Sequence, residues 1–179
     1  DARADKVREI VYFAQHWGVK NIIACMRSES SQYQLPPDKA DRYGFNQPIA
    51  GEMLIRYGID ILTNPKFDVD NPAWNPTDPD VQKWHDLRGE YLTQFYRDLR
   101  AALNAVDPNI KVGVMIPGGD YIGPVIGNVR VDWRKWIDEG LINEFILPQT
   151  LAATEDPCSP LKGYLTDNIG NINYNPITK

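Results

Sequence analysis

The chain has 179 residues, of which 42% are hydrophobic and 24% charged, a composition typical of an ordinary soluble globular domain rather than a disordered chain. Lys and Arg total 19 against 24 Asp and Glu, a formal net charge of -5 without any basic run, so we expect no nucleic-acid partner. No apolar stretch reaches the roughly 20 residues that span a bilayer, so we also expect no membrane span. With two Cys, two His and neither a CxxC nor an HExxH pattern, we predict no disulfide framework, no metal site and no cofactor.

The first part of the chain predicts a helix followed by a buried strand. Apolar residues recur at helical spacing over residues 3–17, and Gly18 stands where a C-terminal cap belongs. Residues 19–26 (VKNIIACM) form a short, continuous apolar run, which is typical of a strand buried on both faces of a parallel sheet.

A long insertion is predicted at about residues 28–77. It begins with a polar stretch that is too long for a simple barrel connection, which favours a site-forming loop. Pro48 then begins an amphipathic helix that Gly58 ends, and the Pro-rich residues 59–77 predict an extended excursion over the surface.

Two further helix and strand pairs follow. Asp78 and Pro79 open a long helix that runs to about Val106, and residues 110–116 form a second apolar strand. After a loop rich in Gly and Val, Asp132 caps a short helix that Gly140 ends, and residues 141–147 predict a third strand. Residues 151–179 show no periodicity.

Three strands alternating with helices predict an α/β fold with a parallel sheet, either open and doubly wound or closed into a barrel. The chain is shorter than the roughly 200 residues of a compact eightfold barrel. We therefore predict one (β/α) TIM-barrel-type domain over residues 1–179, as a fragment or partial barrel.

Six segments carry a resemblance to a known family: YGFNQPI, RYGIDI, WHDLRGEYLTQFYRDLRAAL, KVGVMIP, VDWRKWIDEGLI and FILPQT. In this order they resemble the glycosyl-hydrolase-like family 10 group, bacterial TIM-barrel proteins related to glycoside hydrolases. The resemblance covers roughly residues 5–150.

The resemblance implies a carbohydrate substrate, an extracellular or periplasmic location, and earlier barrel strands that lie upstream of Asp1 or were removed. The expected protein partner is this missing part of the barrel or a larger assembly. It also implies acidic residues at the end of the first strand, where this chain has Cys25 and Met26. The first carboxylate after that strand is Glu29.

Glycoside hydrolysis needs two carboxyl groups, and in a barrel both come from loops at the carboxyl ends of strands. Glu29 follows the first predicted strand and Asp120 follows the second, so they are the candidate catalytic pair. Each is alternatively a solvated loop charge or a helix cap. Rival carboxylates lie in the insertion: Asp60, Asp68 and Asp70.

Other side chains in the predicted loops are suited to binding a sugar. Arg27 is expected at the mouth of the first strand, as a substrate contact or a structural salt bridge, and Gln149 follows the third strand. Tyr33, Tyr43 and Tyr121 lie in loops, where aromatic rings can pack against the apolar faces of sugars.

Two groups of helix residues are instead predicted to be structural. Trp17, Trp84, Trp133 and Trp136 lie on apolar helix faces and are expected in the core. Arg88 and Glu90 are expected to form an exposed charge pair on the long helix.

Two functions therefore compete. The first is an enzyme that acts on glycosidic bonds of a poly- or oligosaccharide by carboxyl acid and base chemistry. The second is a non-catalytic barrel protein that binds glycans or serves as a scaffold in a larger assembly. An open-sheet nucleotide-binding domain is disfavoured because neither GxGxxG nor GxxxxGK[ST] occurs.

Overall fold

A computed structural model describes residues 2–25, 41–115, 121–122 and 129–146 of the chain. Its helices are α1 (Ala2–Trp17), α2 (Gln47–Tyr57), α3 (Pro79–Val106) and α4 (Trp133–Asp138). Its strands are β1 (Asn21–Cys25), β2 (Lys111–Met115), β3 (Tyr121–Ile122), β4 (Val129–Arg130) and β5 (Glu144–Ile146). None of the described helices is long and apolar enough to cross a membrane.

The predicted parallel sheet is present. It has three strands in the order β1-β2-β5, and both neighbouring pairs are parallel. The register sets Cys25 beside Met115 and Met115 beside Ile146, so the three strands end together. The carboxyl ends of all three strands therefore lie at one edge of the sheet.

The chain divides into two compact units. The first, called the sheet unit, comprises Asp1–Met26, Leu92–Asp120 and Asp132–Lys179. The second, called the insert unit, comprises Arg27–Tyr91 and Tyr121–Val131.

The sheet unit buries one face of its central strand. Val112 and Val114 alternate along β2 and are both fully buried, as expected for side chains that point to the same face. On α4, Trp133 and Trp136 are also fully buried, as their spacing predicts. The Trp136 ring lies 4.6 Å from that of Tyr96.

A buried arginine holds the segments that lead into β2 and β5. Arg100 of α3 donates to the carbonyl oxygens of Ile110 (2.8 Å) and Leu141 (3.1 Å). It also donates to the side-chain oxygen of Asn143 (2.6 Å), which accepts from the Val112 amide as well. One guanidinium thus satisfies oxygens that precede two neighbouring strands, where strand pairing has not yet begun.

The insert unit has a hydrophobic core of its own. Residues of α2, α3 and the segment between them form it: Ile49, Ala50, Met53, Ile61, Phe67, Val81, Trp84 and Leu87. The prediction that residues 59–77 form a surface excursion is therefore wrong in part. Ile61 is 2% exposed and Phe67 1%, so the segment is an integral part of this core.

Asparagine and aspartate side chains give this Pro-rich segment its shape. Asp60, Asn64, Asp68, Asn71, Asn75 and Asp78 each accept the backbone amide two residues further on. Such turns replace helix or strand hydrogen bonds, because the short side chain supplies an acceptor to its own backbone. The sequence pattern of frequent Asn, Asp and Pro is the local cause.

Two further predictions are wrong, one for Trp17 and one for the loop after β2. Trp17, expected in the core, is 73% exposed, because α1 buries only Val7 and Ala14 and ends at Trp17. In the loop predicted after β2, β3 and β4 pair as a short antiparallel ladder, with Tyr121 beside Arg130. Strands of two residues have no periodicity that a sequence can display.

Candidate functional site

The carboxyl ends of β1, β2 and β5 are the natural place for a site in this sheet. Parallel α/β sheets bind ligands at that edge because their loops converge there. The in-register ends at Cys25, Met115 and Ile146 define the edge. Among the residues described, the polar group closest to it along these strands belongs to β5.

That group is the carboxylate of Glu144, which the sequence analysis missed. Ile23, Gly113 and Glu144 occupy one row across the sheet, on the face opposite Val112 and Val114. This face is open over the described residues, since Ile23 is 57% exposed. Glu144 is half-buried, and among described residues no hydrogen bond or ion pair engages its carboxylate.

Gly113 makes room for Glu144. A Cβ on Gly113 would stand 2.9 Å from both Cγ and Oε1 of Glu144, so the glutamate side chain lies across the central strand. The sequence did carry a signal, because Asn143 and Glu144 interrupt the apolar run of residues 141–147. An acidic residue in a buried strand is costly unless it has a role or a partner.

Most of the predicted site residues lie outside the described part of the chain. These are Arg27, Glu29, Tyr33, Asp120 and Gln149. The structure therefore leaves their roles, and the spacing of the candidate catalytic pair, as predictions.

Two predicted sugar-binding tyrosines belong to the insert unit. Tyr43 is 60% exposed and so is available to a ligand. Tyr121 begins β3 and pairs with Arg130 of β4. Neither position tests the binding role, which remains a prediction for both residues.

Asp60, a rival catalytic carboxylate, caps a turn. It accepts from the Thr63 hydroxyl (2.7 Å) and the Leu62 amide (3.0 Å). These hydrogen bonds hold the pKa of the Asp60 carboxyl below its ordinary value. A general acid for glycoside hydrolysis needs the opposite shift, so the geometry disfavours Asp60 in that role.

Asp68 and Asp70 line a cavity of about 600 Å³ whose described lining residues all belong to the insert unit. Asp70 forms an exposed ion pair with Arg42, whose terminal nitrogen lies 2.6 Å from the nearer carboxylate oxygen. Asp68 accepts the Asp70 amide through one oxygen, at 3.0 Å. Both carboxylates thus belong to the rim of a polar cavity.

A buried ionic cluster adjoins the same cavity. Asp41, a lining residue that is fully buried, accepts from Arg88 Nη1 and lies within hydrogen-bonding distance of His85 Nε2, at 3.0 Å each. The Arg88 guanidinium also stacks over the Trp84 ring at 4.6 Å. Gly44 is required beside it, because a Cβ there would stand 2.7 Å from Arg88 Nε.

The predicted exposed pair of Arg88 and Glu90 is therefore wrong. Arg88 is 7% exposed and bonded to Asp41, whereas exposed Glu90 pairs with Arg56 at 2.6 Å. Residues two apart on a helix do not face each other, so Arg88 and Glu90 bind different partners. No group of His, Cys, Asp and Glu suited to a metal ion occurs among the described residues.

Comparison with known families decides how this architecture is classified. The family model described as Glycosyl hydrolase-like 10 matches residues 43–155, more than half of the chain. The chain belongs to this family. The resemblance noted from the sequence motifs is thereby confirmed, and the protein is glycoside-hydrolase-like. No curated protein is significantly similar to the chain.

The family match covers only some of the candidate site residues. The match includes Asp120, Glu144 and Gln149, together with Tyr43 and Tyr121. It leaves out residues 1–42, and with them Arg27, Glu29 and Tyr33. Membership in the Glycosyl hydrolase-like 10 family therefore bears on the carboxylates of the later strands and not on Glu29.

Proposed function

We propose that this protein is a glycoside hydrolase that cleaves a poly- or oligosaccharide by carboxyl acid and base chemistry on a (β/α)-barrel-type sheet. Its membership in the Glycosyl hydrolase-like 10 family carries the proposal. The parallel sheet with strands ending in register supports it, because that arrangement gathers loops at one edge. We further propose that residues 1–179 are one barrel-type domain with an insertion at about residues 28–77, which belongs to the insert unit.

Glu29 and Asp120 are the proposed catalytic pair. Glu29 follows β1 by four positions and Asp120 follows β2 by five, and β1 and β2 are neighbours in the sheet. Adjacent strands lie about 4.8 Å apart, and each residue extends a chain by at most about 3.5 Å. The proposal requires the two carboxyl groups to lie roughly 5 to 9.5 Å apart, the range for retaining and inverting hydrolysis.

Arg27, Tyr33, Tyr43, Tyr121 and Gln149 are the proposed sugar-binding residues. Arg27 and Gln149 follow the ends of β1 and β5, at the edge that the register defines. A guanidinium and an amide there can donate to sugar hydroxyls, and tyrosine rings can pack on the apolar face of a sugar.

Glu144 is an additional candidate carboxylate for this site. It stands on the open face of the sheet, one position before Phe145, and lies within the family match. Because it has no partner among the residues described, its carboxylate is available to a substrate or to a second carboxyl group.

The test compares four carboxylate-to-amide variants of the full chain: Glu29→Gln, Asp120→Asn, Glu144→Gln and the control Glu9→Gln. Release of reducing ends is measured on a panel of poly- and oligosaccharides. Removal of a true acid or base is expected to lower the rate by about a hundredfold or more. Glu9 is an exposed residue of α1 that pairs with Lys6, so the control Glu9→Gln should leave the cleavage rate unchanged.

The outcomes separate the assignments. Unchanged cleavage by Glu29→Gln or Asp120→Asn removes that residue from the pair, and loss in Glu144→Gln puts Glu144 in its place.

The second candidate function is a barrel that binds glycans without cleaving them. This hypothesis comes from Cys25 and Met26, which stand where the resemblance of the sequence motifs implies acidic residues but lie outside the residues that the family model matches. A parent chain that binds members of the panel but cleaves none of them supports this alternative.

A further inference from the structure

The cavity of the insert unit has unused hydrogen-bonding capacity. It lies between residues 41–45 and 61–71, and its volume of about 600 Å³ is that of a small-molecule site. Asn64 and Asn71 both line it. Each uses its side-chain oxygen to accept a backbone amide, from Lys66 at 3.1 Å and Ala73 at 3.0 Å.

The amide nitrogens of these two asparagines are the relevant donors. Neither Nδ2 donates a hydrogen bond within the described residues. Because each side-chain oxygen is held by a turn, the orientation of each amide plane is set before a ligand arrives. Such preorganised donors bind a ligand with little loss of side-chain freedom.

The charges of the cavity disfavour an anionic ligand. Asp41 is paired with Arg88, and Asp70 with Arg42, which leaves Asp68 as the carboxylate without a cationic partner in the described part of the chain. One carboxylate oxygen of Asp68 accepts the Asp70 amide, so the other is available to a hydroxyl donor. The described lining thus offers donors and an acceptor, and it carries three carboxylates against one guanidinium, a balance that disfavours phosphate.

An aromatic ring completes the lining. Phe45 is half-buried, and its ring is fixed by contact with Trp84, with 4.8 Å between centroids. A rigid aromatic surface beside fixed amides and a carboxylate suits a neutral ring that carries hydroxyl groups on its edge and CH groups on its faces.

We propose that this cavity binds a sugar unit of a neutral oligosaccharide, with Asn64 and Asn71 as donors and Asp68 as acceptor. We infer the class of ligand from the proposed function. We infer the site itself from the cavity and from its polar groups that make no other hydrogen bond among the described residues. All of its described lining residues belong to the insert unit, and none of them is a proposed catalytic residue.

The experiment exploits the turn geometry. In Asn64→Asp and Asn71→Asp, singly and combined, a carboxylate oxygen still accepts the turn amide while the Nδ2 donor is removed. Asn75→Asp is the matched control, because Asn75 makes the same kind of turn with Thr77 but does not line the cavity. Asp68→Asn is a second variant that keeps the turn acceptor and removes the charge.

Binding of short cello-, xylo-, malto- and chito-oligosaccharides to the full chain is measured by calorimetry, with thermal melting as a check on folding. We expect the parent and Asn75→Asp to bind alike, and the double variant to lose about tenfold or more in affinity. Asp68→Asn should also weaken binding. Equal affinity of the parent and the folded double variant, or no binding by the parent, overturns the site.

This result is distinguishable from the test of catalysis. Cleavage without any effect of the asparagine changes refutes the cavity site and leaves the proposed function standing. Binding that depends on Asn64 and Asn71, in a chain that cleaves nothing, supports the site and refutes the proposed hydrolase.

Discussion

Two arginines of α3 differ in burial and in the kind of partner that they bind. Arg100 is 9% exposed and donates only to neutral oxygens of Ile110, Leu141 and Asn143. Burial lowers the pKa of its guanidinium from the ordinary value. Arg97, almost one turn earlier, forms a two-point ion pair with Glu139 at 2.6 and 2.7 Å, about one third exposed.

The replacement Arg100→Met is expected to be far more damaging than Arg97→Met. Loss of Arg100 leaves oxygens that precede β2 and β5 without their donor, which should cost about 3 kcal/mol of unfolding free energy. Loss of the exposed Arg97 pair should cost about 1 kcal/mol or less. Urea denaturation of both variants measures the difference, and equal destabilisation would show that Arg100 does not hold the strands.

At the scale of elements, two glycines within helices have opposite structural reasons. A Cβ on Gly89 of α3 would stand 1.5 Å from the Arg130 carbonyl oxygen, so β4 approaches the helix backbone directly. Gly51 of α2 has nothing within 4 Å of the same position. The first glycine permits close packing within the insert unit, while the second only weakens its helix.

Alanine at these two positions is therefore expected to change stability in opposite directions. Gly89→Ala should destabilise by about 2 kcal/mol or more, despite the better helix propensity of alanine, because β4 must move. Gly51→Ala should stabilise by up to about 1 kcal/mol. Chemical denaturation gives the sign of each change, and stabilisation by both would mean that the contact of β4 with α3 contributes little.

The same scale shows where sequence patterns sufficed. The bounds predicted for the long helix match α3 (Pro79–Val106), because its apolar residues recur over many turns and Pro79 suits a first turn. The third strand, in contrast, is shorter than predicted, at Glu144–Ile146. The Leu141 amide instead bonds to Trp136 and finishes α4, a contact that the apolar run does not reveal.

For the whole molecule, the order β1-β2-β5 makes β2 the central strand. Its amides have a neighbour on each side, and Val112 and Val114 are fully buried. The short β3 and β4 ladder of the insert unit has only two paired positions. The two sheets should therefore differ in resistance to local opening.

Hydrogen exchange measured by mass spectrometry tests this prediction. Amides of Val112 and Val114 are expected to exchange only on global opening of the sheet unit, whereas those of Val129 and Arg130 should exchange much sooner. Exchange in β4 as slow as in β2 would contradict the difference expected between the two sheets.

Local periodicity and motifs within single segments were enough to predict the four described helices, the three strands of the parallel sheet and the family, but not the short strands β3 and β4. Tertiary structure decided what depends on partners from distant positions. Asp41 meets Arg88 across 47 positions, Glu144 lies over Gly113, and Trp17 is exposed at the end of α1. Periodicity records which face of an element is apolar, but a partner for a charged side chain exists only once the chain has folded.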